Sequence, residues 1–171
     1  MFITGYHGTT RDNAEHILST RKFYLSKGEK EWLGSGIYFY PNLNDAYDWR
    51  ESEVILHAVI KIKEDEYLDL DTKDGKEVYR NIINSLYNYT DEEMITKGIN
   101  ISNNNIIKNQ CAVANVLWDT FSEMKVIFAS FHKERTQITT MIDARIERRE
   151  FCVRDNDCIV SIQRIERSEL E

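Results

Sequence analysis

Apolar and polar positions along this chain follow two spacings, and the switches between them divide it into elements. Val54 to Ile62 is almost continuously apolar, broken only at His57 and Lys61, which predicts a long strand. Residues 2–7, Phe23 to Leu25, Ile37 to Tyr40 and Val126 to Phe131 predict shorter strands. Pro41 ends the third of these, because it fixes φ and removes a donor. Tyr67 to Leu70 predicts a strand pairing nearby, and Phe151 to Arg154 and Cys158 to Ile165 predict the last two. Asp155-Asn156-Asp157 between those two reads as a hairpin turn, since short Asx side chains bond their own backbone.

The helical spacing fills the remainder. Thr10 is placed to cap a helix with Ala14, Ile17 and Leu18 on one face and Asp12 in its first turn. Ser26 to Leu33 is polar and reads as a loop, and Asn44 to Arg50 predicts a short helix. Lys76 to Tyr87 carries Val78, Ile82, Ile83 and Leu86 at helical spacing, and Asp91 to Lys97 predicts a shorter helix. Asn105 to Glu123 has the strongest stripe, through Ile107, Cys111, Ala114, Leu117, Trp118 and Phe121. Segregated helices with mostly hairpin-linked strands predict an α+β fold rather than a doubly wound sheet.

The chain has 171 residues, enough for one domain over residues 1–171 with its own core. It contains no internal repeat and no low-complexity linker. Its apolar runs fall short of the ~20 residues that span a bilayer, and Met1-Phe2-Ile3-Thr4 lacks the basic and apolar regions of a signal peptide. A soluble, cytoplasmic protein with no membrane partner is expected. Cys111, Cys152 and Cys158 form no Cys-x-x-Cys pair, so no metal and no disulfide framework are expected. Cys152 and Cys158 flank the predicted hairpin turn and read as reduced core thiols.

Net charge is -7, which argues against broad non-specific nucleic-acid binding. The charge is uneven. Glu64 to Glu77 holds seven acids against two lysines, whereas His132 to Arg154 holds six lysines and arginines against four acids. The second stretch reads as a solvated surface or as a basic lip beside a site for an anionic acceptor.

Three short pieces carry the candidate chemistry: Tyr6-His7-Gly8-Thr9-Thr10, Gly34-Ser35-Gly36-Ile37-Tyr38-Phe39 and Arg149-Glu150-Phe151-Cys152-Val153. The middle piece is not a dinucleotide fingerprint, because Phe39 stands where the third glycine belongs. Taken in order, the three pieces resemble the signature of diphtheria-toxin-like, His-Tyr-Glu ADP-ribosyltransferases. The first two resemble the opening half of poly(ADP-ribose) polymerase catalytic domains, and the third resembles the strand bearing that family's catalytic glutamate. The resemblance covers about 45 residues near the N-terminus and about 16 near the C-terminus, and leaves the helical middle unmatched.

The resemblance implies an ADP-ribosyltransferase-like fold, with two packed antiparallel or mixed sheets around an NAD cleft and flanking helices. It implies NAD as co-substrate and Glu150, His7 and Tyr38 as the catalytic set. Glu150 would stabilise the positive charge that develops as nicotinamide leaves ribose, as in glycoside cleavage. His7 would hold the adenosine-side ribose, Gly8 would pair its backbone with the nicotinamide carboxamide, and Tyr38 would lie against the nicotinamide ring. Thr9 and Gly36 complete the cofactor set, and a second aromatic from the following helix falls on Trp49, or alternatively on Tyr47. The family's serine in that helix aligns with Ala46, with Asn44 or Thr9 as compensating groups. Arginine-modifying relatives place an acid or amide where this chain has Arg148. With Arg145 and Arg149, that residue points instead to a phosphate-bearing or acidic acceptor.

The resulting expectation is a mono-ADP-ribosyltransferase acting on RNA, DNA or protein. The family also includes bacterial toxins and phage-defence effectors, which brings in a neutralising antitoxin as a partner. NAD hydrolysis uses the same residues, and a non-catalytic binding module is the third reading. His16, His57 and His132 read as structural or surface histidines.

Overall fold

The computed structural model describes residues 1–28, 31–49, 52–96, 106–133 and 146–165. In chain order the elements are β1 (Phe2–Thr9), α1 (Arg11–Thr20), β2 (Ile37–Phe39), α2 (Leu43–Tyr47), β3 (Val54–Lys61) and β4 (Tyr67–Asp69). They continue with α3 (Lys73–Tyr87), α4 (Asp91–Thr96), α5 (Ile106–Thr120), β5 (Val126–Lys133), β6 (Ile146–Val153) and β7 (Ile159–Ile165).

The strands form two sheets, ordered β1-β3-β7 and β2-β6-β5-β4. The first is antiparallel throughout. The second is mixed, because β4 runs parallel to β5 while the other neighbours are antiparallel. The α+β class expected from the sequence is therefore present, with helices flanking both sheets.

Strand alternation explains how the layers stack. Phe151 and Val153 of β6 join Phe39, Leu56, Ala58 and Ile60 in a core between the two sheets, closed by Ala14 and Ile17 of α1. Cys152 of β6, with Ile127 and Ala129 of β5, faces the opposite way. There it packs against Ile82 and Leu86 of α3 and against Val113, Leu117 and Trp118 of α5. The second sheet is thus covered on both faces. Among the described residues no helix is long and apolar enough to cross a membrane.

Several boundaries differ from the sequence expectation. Thr10 does cap α1, accepting from the Asn13 amide at 3.4 Å. Phe23 to Leu25 is not a strand: the side chain of Asn156 accepts from the Phe23 amide at 2.8 Å and donates to its carbonyl at 3.1 Å. The nearest pairing is an isolated bridge one residue further on, Ser26 to Gly36. α3 begins at Lys73 rather than Lys76, because Thr72 caps it by accepting from Gly75 at 3.0 Å. β6 reaches back to Ile146, well before Phe151.

The expected hairpin between the last two strands is absent. β6 and β7 belong to different sheets, and Asn156–Cys158 forms a single 3-10 turn that carries the chain between them. The hairpin pattern is also not general: among consecutive described strands only β5 and β6 pair antiparallel, while β4 and β5 pair in parallel. The predicted ends at Arg50, Lys97 and Asn105 lie outside the described residues.

Candidate active site

β6 brings Arg148, Glu150 and Cys152 to the helix-covered face of its sheet, opposite Phe151 and Val153. Glu150 is only 7% exposed, yet it lines a cavity of about 820 Å³. That volume falls in the range of about 300–1,000 Å³ typical of small-molecule sites. β2 pairs antiparallel to β6 with Tyr38 opposite Cys152, so Tyr38 shares the face of Glu150. Both Tyr38 and Tyr40 line the cavity.

β1 supplies the facing wall through His7, Gly8 and Thr9. An edge strand in its own sheet, β1 is bridged to the second sheet where the Tyr6 amide donates to Tyr40 at 2.8 Å and its carbonyl accepts at 2.9 Å. The backbone groups of Tyr6 therefore point away from β3. Strand periodicity turns those of Gly8 in the same direction, toward the open edge. Gly8 is also sterically confined: a Cβ there would lie 2.6 Å from the Ala46 carbonyl oxygen and 2.8 Å from Ser52 Oγ.

His7 donates its Nδ1 proton to the Tyr38 carbonyl at 2.8 Å. Burial pushes its pKa below the ordinary histidine value, against the raising effect of that hydrogen bond. The ring is thus neutral at pH 7, with Nε2 as an acceptor. The Tyr38 hydroxyl accepts from the Leu33 amide at 2.9 Å and donates to the Gly34 carbonyl at 2.8 Å. Burial raises its pKa far above the ordinary phenol value. With the hydroxyl tied to the loop, Tyr38 offers the cavity its ring.

Glu150 sits among neutral donors. Trp32 donates its indole Nε1 proton to Oε2 at 2.8 Å, and the Tyr40 hydroxyl donates to the same carboxylate. Burial pushes the Glu150 pKa above the usual carboxylate range; Tyr40, Trp32 and Arg148 oppose that shift, and Glu31 adds to it.

Of the two aromatic candidates after β2, Trp49 lines the cavity and is 43% exposed. Tyr47 is half-buried and lies off the lining. Ala46 is fully buried behind Gly8, Asn44 is exposed, and Thr9 lines the cavity, as does Gly36.

The arginines do not form an open basic lip. Arg148 is buried and ion-paired to Asp48 and, at 3.5 Å, to Asp45 of α2. Arg149 projects from the opposite face of β6, where it pairs with Asp69 and Asp71 and lies over the Phe128 ring at 5.1 Å. Neither lines the cavity. Arg145 lies outside the described residues.

Glu31, Trp32 and Tyr40 line the cavity and were not singled out from the sequence. Tyr40 was accessible to such reasoning, being two residues beyond Tyr38 on the same strand face. Trp32-Leu33, an apolar pair within a polar loop, was the available signal for the loop. The three cysteines are buried and form no disulfide. Burial carries the Cys158 thiol up to about 11 and Cys152 higher still. Among the described residues no group of three or more His, Cys, Asp or Glu side chains is arranged to hold a metal ion.

No family model matches this chain. Over 47 residues it is 45% identical to an uncharacterised protein of Methanocaldococcus jannaschii, a match covering 28% of this chain and 22% of that protein. The chain therefore spans well under half the length of that relative. Among solved structures it is similar to an anti-CRISPR protein, with a TM-score of 0.46, 10% identity and 96% of each chain covered. Neither likeness carries a family or a function.

Proposed function

We propose that this chain is an NAD-dependent mono-ADP-ribosyltransferase with an ADP-ribosyltransferase-like fold, and that the cavity between β1 and β6 is its NAD cleft. The observation that carries the reading is convergence: His7, Tyr38 and Glu150, from three strands far apart in sequence, line one cavity.

Each group suits the task. The outward amide and carbonyl of Gly8 match a planar carboxamide, and the Tyr38 ring gives that plane a face to lie on. Trp49 at the rim supplies the second aromatic surface. The Nε2 acceptor of neutral His7 suits a ribose hydroxyl. Glu150 supplies the cavity with a carboxylate, the group that stabilises oxocarbenium character as a nicotinamide–ribose bond breaks. The acceptor nucleophile then bonds to the ribose carbon and releases its proton to solvent, and nicotinamide departs with the electron pair of the broken bond.

A macromolecular acceptor, RNA, DNA or protein, follows from the family resemblance, as does a toxin or defence role with a neutralising partner. The ion pairing of Arg148 and Arg149 removes the local argument for a phosphate-bearing acceptor. The test is incubation of the chain with adenylate-labelled NAD and cell extract, beside Glu150→Gln. Labelled macromolecule that disappears in the variant supports transfer. Free ADP-ribose without labelled macromolecule assigns hydrolysis instead, and no turnover of NAD by the wild-type chain overturns both.

A further inference from the structure

The segment between α1 and β2 lines the cavity at several points, and at one of them Trp32 meets Glu150. We infer that Trp32 is a positioning residue, whose indole N–H fixes the orientation of the Glu150 carboxylate and holds it ionised while leaving its negative charge uncompensated. This inference rests on the transferase reading of the site.

The geometry is that of a built support. Trp32 Nε1 lies 2.8 Å from Glu150 Oε2, and the indole packs on Phe131 of β5 with ring centroids 5.1 Å apart. Its backbone is anchored just downstream. Leu33 donates to the Tyr38 hydroxyl at 2.9 Å, and Trp118 of α5 donates to the Leu33 carbonyl at 2.9 Å. Ser35 donates to Asn115 Oδ1 of α5 at 2.9 Å. On the upstream side Ser26 hydrogen-bonds the Glu31 carboxylate. The indole N–H is a donor only, with no acceptor role to compete for the carboxylate proton.

The choice of a neutral donor matters chemically. A lysine or arginine paired to Glu150 would keep it ionised but would cancel the charge needed beside an oxocarbenium-like ribose. The cation on the same strand face, Arg148, is instead held by Asp45 and Asp48. The remaining titratable groups around Glu150 are Glu31 from the loop, Tyr38 and Tyr40 from the β2 side, and Cys152 from β6. Burial pushes Tyr38, Tyr40 and Cys152 upward, so they are neutral at pH 7, and His7 across the cavity is neutral as well. Glu31 opposes ionisation of Glu150. Trp32 and Tyr40 are therefore the donors that keep the buried carboxylate charged.

The test has two arms. In the first, Trp32→Phe keeps a ring against Phe131 and removes only the donor. The acid limb of the pH–rate profile is expected to move up by about one pH unit, the tenfold change that a single hydrogen bond to a charged group supplies. A limb that stays in place, with activity merely scaled down, overturns the inference. The second arm needs neither enzymatic activity nor a folded variant at Trp32. In the 15N-labelled wild-type chain, the three indole resonances of Trp32, Trp49 and Trp118 are followed against pH. One should titrate with an acidic midpoint and cease to do so in Glu150→Gln. Three indole signals unresponsive to Glu150 overturn the inference, whatever the outcome for ADP-ribosyl transfer.

Discussion

The His7 imidazole is pinned to Tyr38 by a 2.8 Å hydrogen bond from Nδ1 to the backbone carbonyl. Two residues of the sequence signature are thus joined through one residue's side chain and the other's main chain. This fixes the tautomer, and it leaves Nε2 for whatever occupies the cavity.

His7→Asn separates the two nitrogens. Asparagine retains a donor near the Nδ1 position but has no acceptor at Nε2. NAD affinity measured by calorimetry should fall about tenfold, the cost of one lost hydrogen bond. The pH dependence of stability should change as well. Burial lowers the folded pKa of His7, so below about pH 6.5 the unfolded chain takes up a proton before the native chain does. Wild-type stability is therefore lost as pH falls through that region, and the variant should show a shallower loss in urea unfolding at pH 5 to 7.

Glu150→Gln should stabilise the fold while abolishing transfer. Burial raises the folded pKa of Glu150 above its ordinary value. Through that window the native state retains a proton that the unfolded chain has released, so stability falls as pH rises. The penalty is complete above the folded pKa and absent near pH 3, where both states are protonated. Glutamine carries no charge and still accepts from Trp32 and Tyr40. Thermal unfolding at pH 7 should show a Tm above wild type, and the difference should vanish near pH 3. Label transfer should fall at least about a hundredfold. A Tm below wild type at pH 7 would contradict the buried-charge account.

The legibility of this chain followed the periodicity of each segment. α1 was readable because Thr10, Ala14 and Ile17 obey both capping and spacing rules, and β3 because its apolar run leaves no other reading. β6 was mostly hidden, since Glu147-Arg148-Arg149-Glu150 looks like surface and only tertiary partners make burial of Arg148 and Glu150 tolerable. The two-sheet crossing at Asn156 was unreadable because its cause is a pair of hydrogen bonds to Phe23, 133 residues away. Tyr38 and Trp49, which line the cavity, were singled out by the family resemblance and not by periodicity. The partners of Glu150 were not singled out, since Trp32 lies 118 residues from it.

Gly34→Ala tests the support beneath Trp32 without touching the cavity lining. Gly34 has φ of +80°, and a Cβ there would lie 2.7 Å from Asn115 Oδ1 and 3.0 Å from the Trp118 ring. The left-handed backbone alone costs an L-residue about 1–2 kcal/mol. The added contact forces Asn115 off the Ser35 amide or lifts the loop away from α5. A loss of about 2 kcal/mol is expected, which lowers Tm by about 4–8 °C in a protein of this size. Transfer activity should drop more than NAD affinity, because the displaced loop carries Trp32 rather than His7 or Gly8. An alanine variant with wild-type Tm would mean that α5 does not hold the loop.

Trp49 and Tyr47 make opposite predictions from neighbouring positions. Trp49 lines the cavity with 43% of its surface exposed, so the chain presents an aromatic face there without filling it. Tyr47 ends α2 away from the lining. Covering the Trp49 face with a flat ligand ring gains about 0.5–1.5 kcal/mol beyond area burial, or up to roughly tenfold in affinity. Trp49→Ala should therefore weaken NAD binding by up to that factor, with little change in Tm because the side chain is not part of the core. Tyr47→Ala should leave NAD affinity within about twofold of wild type. The measurement is an NAD titration by calorimetry on both variants. If Tyr47→Ala weakens binding and Trp49→Ala does not, the ligand plane lies on the opposite side of α2, and the assignment of the rim to Trp49 is wrong.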